Sequence, residues 1–191
     1  MMRLPVLETG HDRATRITFA ALRAVGRCDV PEILEVTCYR HRYFGTPFLA
    51  MVQRTMRGPS HWTIGEREVI AVAVSQQNAC PFCATTHAAI AGAFGTEPED
   101  TATRSPGLVA TLRFLESHDP ADAQLARGIG VEDEALEEAV EIAALFDLIN
   151  RVMNALGAEA ISGRTQAVTA TIMRRSGYRV PPPVRYLSRS P

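Results

Sequence analysis

The chain has 191 residues, a length that suits one folded domain and is short for two. Hydrophobic residues make up 46% of the sequence and charged residues 21%, which excludes a wholly disordered or collagen-like chain. The 20 basic residues are all arginine and stand against 21 acidic residues, so the formal net charge is -1. We therefore expect one domain over 1–191 with no basic footprint for nucleic acid and no lysine-based chemistry.

The N-terminal segment does not look like a secretory signal. Arg3 and Glu8 fall within it, so it lacks the apolar stretch of about 7 to 15 residues that such a signal requires. Residues 69–96 contain no Asp, Glu or Arg, but the polar residues 75–78 interrupt them well short of the ~20 apolar residues of a membrane span. We predict a cytoplasmic protein with no membrane association, in which four cysteines favour redox or metal chemistry over a disulfide framework.

Apolar residues recur at helical spacing along nearly the whole chain, and no stretch alternates like a strand between hairpin turns. The predicted class is all-α, a helical bundle of about seven or eight helices. The main helices are expected at about 12–26, 31–43, 46–58, 63–77, 81–95, 105–117, 132–156 and 159–175, with a short helical piece at 120–128.

Several boundaries carry recognisable signals. Thr63 followed by Glu66 is a capping box that begins one helix, and Pro81 fits the first turn of the next. The consecutive prolines at 181–183 cannot continue a helix. We therefore expect residues 178–191 to form an extended C-terminal tail.

The residues that indicate chemistry lie between Glu68 and His87 and include the CxxC pair Cys80 and Cys83. A helix that starts at Pro81 has Cys80 at its cap and carries Cys83 and His87 one turn apart on the same face. The free amide groups and positive end of a helix lower the pKa of a thiol there and produce a reactive thiolate. A second thiol three residues away can attack a sulfenic acid or mixed disulfide. The spacing therefore predicts a dithiol redox centre.

Glu68 lies in a predicted helix that is apolar on nearly every face, and a buried carboxylate requires a partner. Glu66 already serves the capping box. A hydrogen bond from Glu68 to one nitrogen of His87 would fix its tautomer and leave the other nitrogen to take a thiol proton. A plain ion pair between Glu68 and an arginine of another helix is the alternative.

A zinc site is a second interpretation of the cysteine pair, with His87 as third ligand and a remote fourth ligand such as His61. Zinc fingers usually place such pairs on loops or knuckles, and a second pair is missing from this chain, so we expect no metal. Reduced, inert core thiols at Cys80 and Cys83 are a third interpretation.

The pattern of Glu68, eleven residues, Cys80-x-x-Cys83, three residues and His87 resembles the alkylhydroperoxidase (AhpD-like) branch of the carboxymuconolactone decarboxylase superfamily. The segment FDLINRVMNALG at 146–157 is similar to the closing core helix of that superfamily, and the resemblance covers a core at about residues 30–160. This resemblance implies an AhpD-like helical bundle that forms a homo-oligomer, a trimer or hexamer. It also implies reduction of organic hydroperoxides without cofactor, with an external thiol or dithiol as reductant.

The resemblance implies a role for each residue of the pattern. Cys83 would be the peroxidatic cysteine that becomes a sulfenic acid, and Cys80 the resolving thiol and proton donor. Glu68 and His87 would form the proton relay. Phe82 stands where some members carry a histidine, which predicts a slower peroxidase. The helix-cap argument and the thioredoxin-like order CPFC instead favour Cys80 as the nucleophile.

Two other functions are compatible with the sequence. A redox sensor or disulfide oxidoreductase would use the same dithiol with little peroxidase turnover. Lactone decarboxylation, as in another branch of the superfamily, would need no thiol pair.

Overall fold

The structure, a computed structural model, describes residues 4–100, 104–161 and 163–187. Within these ranges it is built of eleven helices and contains no strand, which confirms the predicted all-α class. The helices are α1 (Val6–Thr9), α2 (Arg13–Gly26), α3 (Glu32–Cys38), α4 (Gly45–Arg57), α5 (Ile64–Gln77), α6 (Pro81–Ala93), α7 (Pro106–Ser117), α8 (Pro120–Gly128), α9 (Asp133–Leu156), α10 (Gly163–Ser176) and α11 (Pro182–Leu187).

The helix count exceeds the expected seven or eight because the shortest helices leave little periodic signal. α1 has four residues and α11 has six, too few for a repeat of 3.6 residues to be recognised. Two longer predicted helices also differ in extent. α3 ends at Cys38, before a turn in which Arg40 adopts a φ of 45°, and α10 begins at Gly163 instead of near residue 159.

The expectation of an extended tail over 178–191 is wrong for the segment Pro182–Leu187, which forms α11. Proline is excluded from a helix interior, but it is tolerated in the first turn because the amide groups there have no intrahelical partner. The carbonyl of Pro181 accepts a hydrogen bond from the Arg185 amide at 3.0 Å, so the prolines occupy the start of the helix. The residues after Leu187 lie outside the described part of the chain.

The α5 and α6 helices form the centre of the bundle. They pack against each other, α9 packs against α5, and α10 packs against α6. α5 has buried residues on all its faces, as its almost uninterrupted apolar sequence predicts. The hydrophobic core runs from Phe19 of α2 to Val184 of α11, so the C-terminal helix belongs to the same core as the central pair. None of the described helices combines the length and hydropathy needed to cross a bilayer.

The predicted capping box at the start of α5 is confirmed. The Glu66 amide donates to Thr63 Oγ1 at 3.2 Å, and the Thr63 amide donates to Glu66 Oε2 at 3.0 Å. Glu66 Oε1 also accepts a hydrogen bond from the hydroxyl of Ser105, which caps α7. The starts of α5 and α7 are therefore joined by one carboxylate.

The turn between α5 and α6 is a Schellman motif built on alanine. The Cys80 amide donates to the Ser75 carbonyl at 2.9 Å, and the Ala79 amide donates to the Gln76 carbonyl at 3.1 Å. Ala79 has a φ of 48°, a left-handed conformation that costs a residue with a Cβ about 1 to 2 kcal/mol. The motif fixes the backbone position of Cys80, the residue that caps α6.

We expect Ala79→Gly to raise the free energy of unfolding by about 0.5 to 1 kcal/mol, because the relief of left-handed strain exceeds the entropy cost of glycine. Urea unfolding followed by circular dichroism measures the change. Ala144→Gly, at an exposed position inside α9, is the matched control and should lose about 0.5 to 1 kcal/mol. Equal losses in both variants would show that Ala79 carries no conformational cost.

Candidate functional site

Cys80 and Cys83 lie at the beginning of α6, inside the bundle. Both are free thiols, and their Sγ atoms are 2.7 Å apart. Their exposed fractions are only 1% and 2%. With Pro81 in the first turn, Cys80 is the N-cap of α6, and its Sγ accepts the Cys83 amide at 3.4 Å. The two sulfur atoms are close enough to share a proton.

The two thiols differ in acidity. The hydrogen bond from the Cys83 thiol lowers the pKa of Cys80 to about 7, although burial acts in the opposite direction. The pKa of Cys83 is raised, because its thiol proton is engaged in the hydrogen bond with Cys80 and because burial disfavours a second negative charge beside the first. The pair therefore begins to lose its first proton near neutral pH, and Cys80 is the sulfur atom favoured to carry the resulting charge.

Glu68 of α5 is fully buried and has three partners. Its Oε2 atom lies 2.6 Å from Nδ1 of His87, and its Oε1 atom lies 2.7 Å from Nη1 of Arg57. The Tyr178 hydroxyl donates to the same carboxylate, at 2.9 and 3.0 Å from its two oxygen atoms. Burial would raise the pKa of Glu68, but the hydrogen bond and charge of His87, together with Arg57, lower it below its ordinary value. Glu68 is therefore an ionised carboxylate with both an imidazole and an arginine partner.

Aromatic rings enclose the partners of Glu68. The His87 ring packs edge to face on Phe146, with the ring centres 4.5 Å apart. The Arg57 guanidinium lies 4.8 Å from the centre of the Tyr178 ring and 5.1 Å from that of Phe94. These cation–π contacts hold the arginine at a fixed position beside the carboxylate.

Arg57 and Tyr178 are site residues that sequence reasoning missed. An arginine in the last turn of α4 is explained by the helix dipole alone, so nothing marks Arg57 as a partner of Glu68. Tyr178 lies 110 residues beyond Glu68, in the segment that we expected to be an extended tail. Its amide donates to Gln53 Oε1 at 2.7 Å, which holds the connector between α10 and α11 against α4. No local sequence pattern signals such a contact.

A cavity borders Cys83 of the dithiol and His87 of the Glu68–His87 pair. It has a volume of about 80 Å³, and its lining includes Cys83, His87 and Tyr178 but not Cys80. Most of the remaining wall is apolar and comes from α3, α4, α6, α9 and α10. Its apolar side chains include Leu34, Phe48, Val52, Ile90, Phe146 and Met173. This apolar lining is typical of a site for an organic molecule, which would there meet Cys83 and His87.

His61 lies apart from the cysteine pair. Its Nδ1 atom is 3.0 Å from Glu138 Oε1, and its Nε2 atom is 3.3 Å from Glu132 Oε2. Within the ranges that the structure describes, no three or more His, Cys, Asp or Glu side chains gather in a way that could hold a metal ion.

Comparison with known proteins finds a family model that matches part of the chain. Residues 44–105, which include the four residues of the sequence pattern, match the model of the carboxymuconolactone decarboxylase family. Among curated proteins, no sequence matches the chain.

Two solved structures share the fold. One is the crystal structure of an uncharacterized peroxidase-related protein from Silicibacter sp. TM1040, with 22% identity, a TM-score of 0.68, and coverage of 84% of this chain and 92% of that chain. The other is described as an alkylhydroperoxidase AhpD core, an uncharacterized peroxidase-related protein from Ralstonia eutropha JMP134, with 25% identity, a TM-score of 0.67, and coverage of 88% and 96%. The segment that carries the sequence pattern is therefore similar to the carboxymuconolactone decarboxylase family, and the chain shares its fold with these two peroxidase-related proteins, as the resemblance predicts.

We expect the ultraviolet thiolate absorbance of the reduced protein to rise by one thiolate with a midpoint near pH 7, the pKa of Cys80. Cys83→Ala should move this midpoint upward, because the hydrogen bond that stabilises the Cys80 thiolate is lost. Cys80→Ala is the control and should show no thiolate near pH 7. A midpoint that stays the same in Cys83→Ala would mean that the acidity of Cys80 has another origin.

We expect Tyr178→Phe to lower the free energy of unfolding by about 1.5 to 3 kcal/mol, the range for a buried hydrogen bond to a charged group. The ring that contacts Arg57 is retained, so the change reports on the hydroxyl. Tyr186→Phe, at a tyrosine that is 70% exposed, is the matched control and should change stability by less than about 0.5 kcal/mol. Similar losses in the two variants would contradict a stabilising bond to Glu68.

Proposed function

We propose that this protein is a thiol peroxidase that reduces organic hydroperoxides to alcohols with the Cys80–Cys83 dithiol. The observation that carries the proposal is a close pair of thiols in which the pKa of one is lowered. The other thiol, Cys83, lines an apolar cavity together with His87. Such a cavity brings an organic molecule to one sulfur atom while the second sulfur atom lies within reaction distance of the first.

The first step moves a proton within the dithiol. The Cys83 thiol passes its proton to Cys80 across the 2.7 Å contact, so that Cys83 becomes the thiolate at the cavity wall. Its sulfur atom attacks the terminal oxygen of the hydroperoxide. The S–O bond forms as the O–O bond breaks, which oxidises Cys83 to a sulfenic acid and releases an alkoxide. The Cys80 thiol gives the alkoxide its proton, and the alcohol leaves.

The second step closes the disulfide. The Cys80 thiolate attacks the sulfur atom of the Cys83 sulfenic acid, an S–S bond forms, and the oxygen leaves as hydroxide. His87 relays a proton from solvent to this hydroxide, which leaves as water. Because Nδ1 of His87 is bonded to Glu68, Nε2 is the nitrogen left for this transfer.

An external thiol or dithiol then supplies the two electrons and two protons that restore the pair. A reducing compartment such as the cytoplasm suits this recycling. We also infer a homo-oligomer, a trimer or hexamer by resemblance. Val140, Leu148 and Val152 support it, because they leave an apolar stripe exposed along α9.

Disulfide exchange is a second candidate function. It is favoured by the location of the thiolate on Cys80, the first cysteine of the pair, where thioredoxin-type chemistry requires it. The burial of Cys80 disfavours it, since the disulfide of a protein partner would have to reach a sulfur atom that is 1% exposed.

The peroxidase proposal is tested by treating the reduced protein with one equivalent of cumene hydroperoxide and measuring free thiols and intact mass. We expect the wild type to lose two thiols and gain no oxygen, because the disulfide forms. Cys80→Ser should gain one oxygen as a trapped sulfenic acid on Cys83, whereas Cys83→Ser should gain none. Cys28→Ser, a cysteine outside the pair, is the control and should behave like the wild type.

Retention of both thiols in the wild type would exclude peroxidase chemistry. A sulfenic acid in Cys83→Ser alone would reverse the roles of the two cysteines. Repeated turnover with excess peroxide and dithiothreitol separates an enzyme from a redox sensor, which would react once and stop.

A further inference from the structure

The cavity wall indicates which hydroperoxides the site would accept, an inference that rests on the proposed function. We propose that the preferred substrates are amphipathic, with an apolar part that enters the cavity beside Cys83 and a carboxylate that binds to Arg179. Reaction of such a hydroperoxide at Cys83 would follow the steps given above.

The wall offers a substrate apolar contact and little hydrogen bonding. Its threonines include Thr37 and Thr86, whose hydroxyls donate to carbonyls of their own helices, each at 2.7 Å. These hydroxyl protons are therefore not available to a ligand. An aliphatic or aromatic group that enters the cavity gains free energy in proportion to the apolar surface it buries there, whereas hydrogen peroxide has no apolar surface to bury.

The charged residues that line the cavity are of one sign, positive. The described residues that line the cavity include no Asp or Glu, and Arg179 is the one side chain among them with a permanent charge. Arg179 is exposed, so it lies where the cavity meets solvent. None of the ion pairs formed within the described ranges involves it, which leaves its guanidinium available to an anion.

The backbone holds Arg179 at this position from both sides. Tyr178, the residue before it, is anchored to Glu68 through its hydroxyl and to Gln53 through its amide. Val180, the residue after it, is buried in the core. Because both of its chain neighbours are core residues, Arg179 stays beside the cavity. Its guanidinium is suited to a carboxylate because it can donate two parallel hydrogen bonds.

The test compares kcat/KM for a long-chain fatty-acid hydroperoxide and for its methyl ester, which differ only in the charge of the head group. We expect the wild type to prefer the acid. Arg179→Gln should lower kcat/KM for the acid about two- to fivefold, the effect of an exposed ion pair, and leave the ester unchanged. Arg175→Gln, which removes the same charge from an exposed position of α10 that does not line the cavity, is the matched control.

A wild type that reduces acid and ester equally well would overturn the inference. So would an equal fall for both substrates in Arg179→Gln, or the same loss of preference in Arg175→Gln.

A binding measurement makes failure of this inference distinguishable from failure of the proposed function. Calorimetry of Cys83→Ser measures the affinity for laurate and for 1-dodecanol without any turnover. We expect laurate to bind more tightly than 1-dodecanol, and we expect this difference to disappear when Arg179→Gln is added to Cys83→Ser. Laurate binding that depends on Arg179 in a protein that reduces no hydroperoxide would reject the peroxidase and support the anion site. Peroxide turnover with no preference for laurate would reject the anion site alone.

Discussion

The Glu68 carboxylate is fully withdrawn from solvent, and the rest of the site is arranged around its negative charge. Removing a carboxylate from water costs several kcal/mol unless charges and hydrogen bonds replace the lost hydration. Arg57 supplies the opposite charge, and His87 and Tyr178 supply further hydrogen bonds. Because these partners come from α4, α6 and the connector before α11, the site is complete only when those elements are packed against α5.

The helix α6 separates two stabilised negative charges. At its first turn the Cys80 thiolate is stabilised by the Cys83 thiol and amide, and one turn later His87 faces the Glu68 carboxylate. Each anion has its own hydrogen-bond donors. Cys83 and His87 share a cavity wall between them, which is the arrangement that a thiol reaction with proton transfer requires.

Sequence signals within one helical turn predicted the helices that carry the site, α5 and α6. They did not predict the C-terminal segment that packs back on the core. The Thr63–Glu66 capping box and the helix that begins at Pro81 depend only on residues within one turn, and both were predicted correctly. The proline run at the C-terminus was interpreted with the rule for helix interiors, whereas the structure uses it as a first turn. The error hid Tyr178, because an extended tail has no reason to reach the core. The catalytic roles of the four pattern residues stay predictions until the thiol measurements are made.

The sequence by itself determined the all-α class, the start of α6 and the placement of Cys80, Cys83 and His87 along one helix, because these follow from the 3.6-residue repeat and from capping within a few residues. Only the tertiary structure decided which groups surround Glu68, which sulfur lines the cavity and which cation borders it. Those properties depend on distances of a few ångströms between segments as far as 110 residues apart, and on how completely packing removes water from them. No spacing along the chain encodes them.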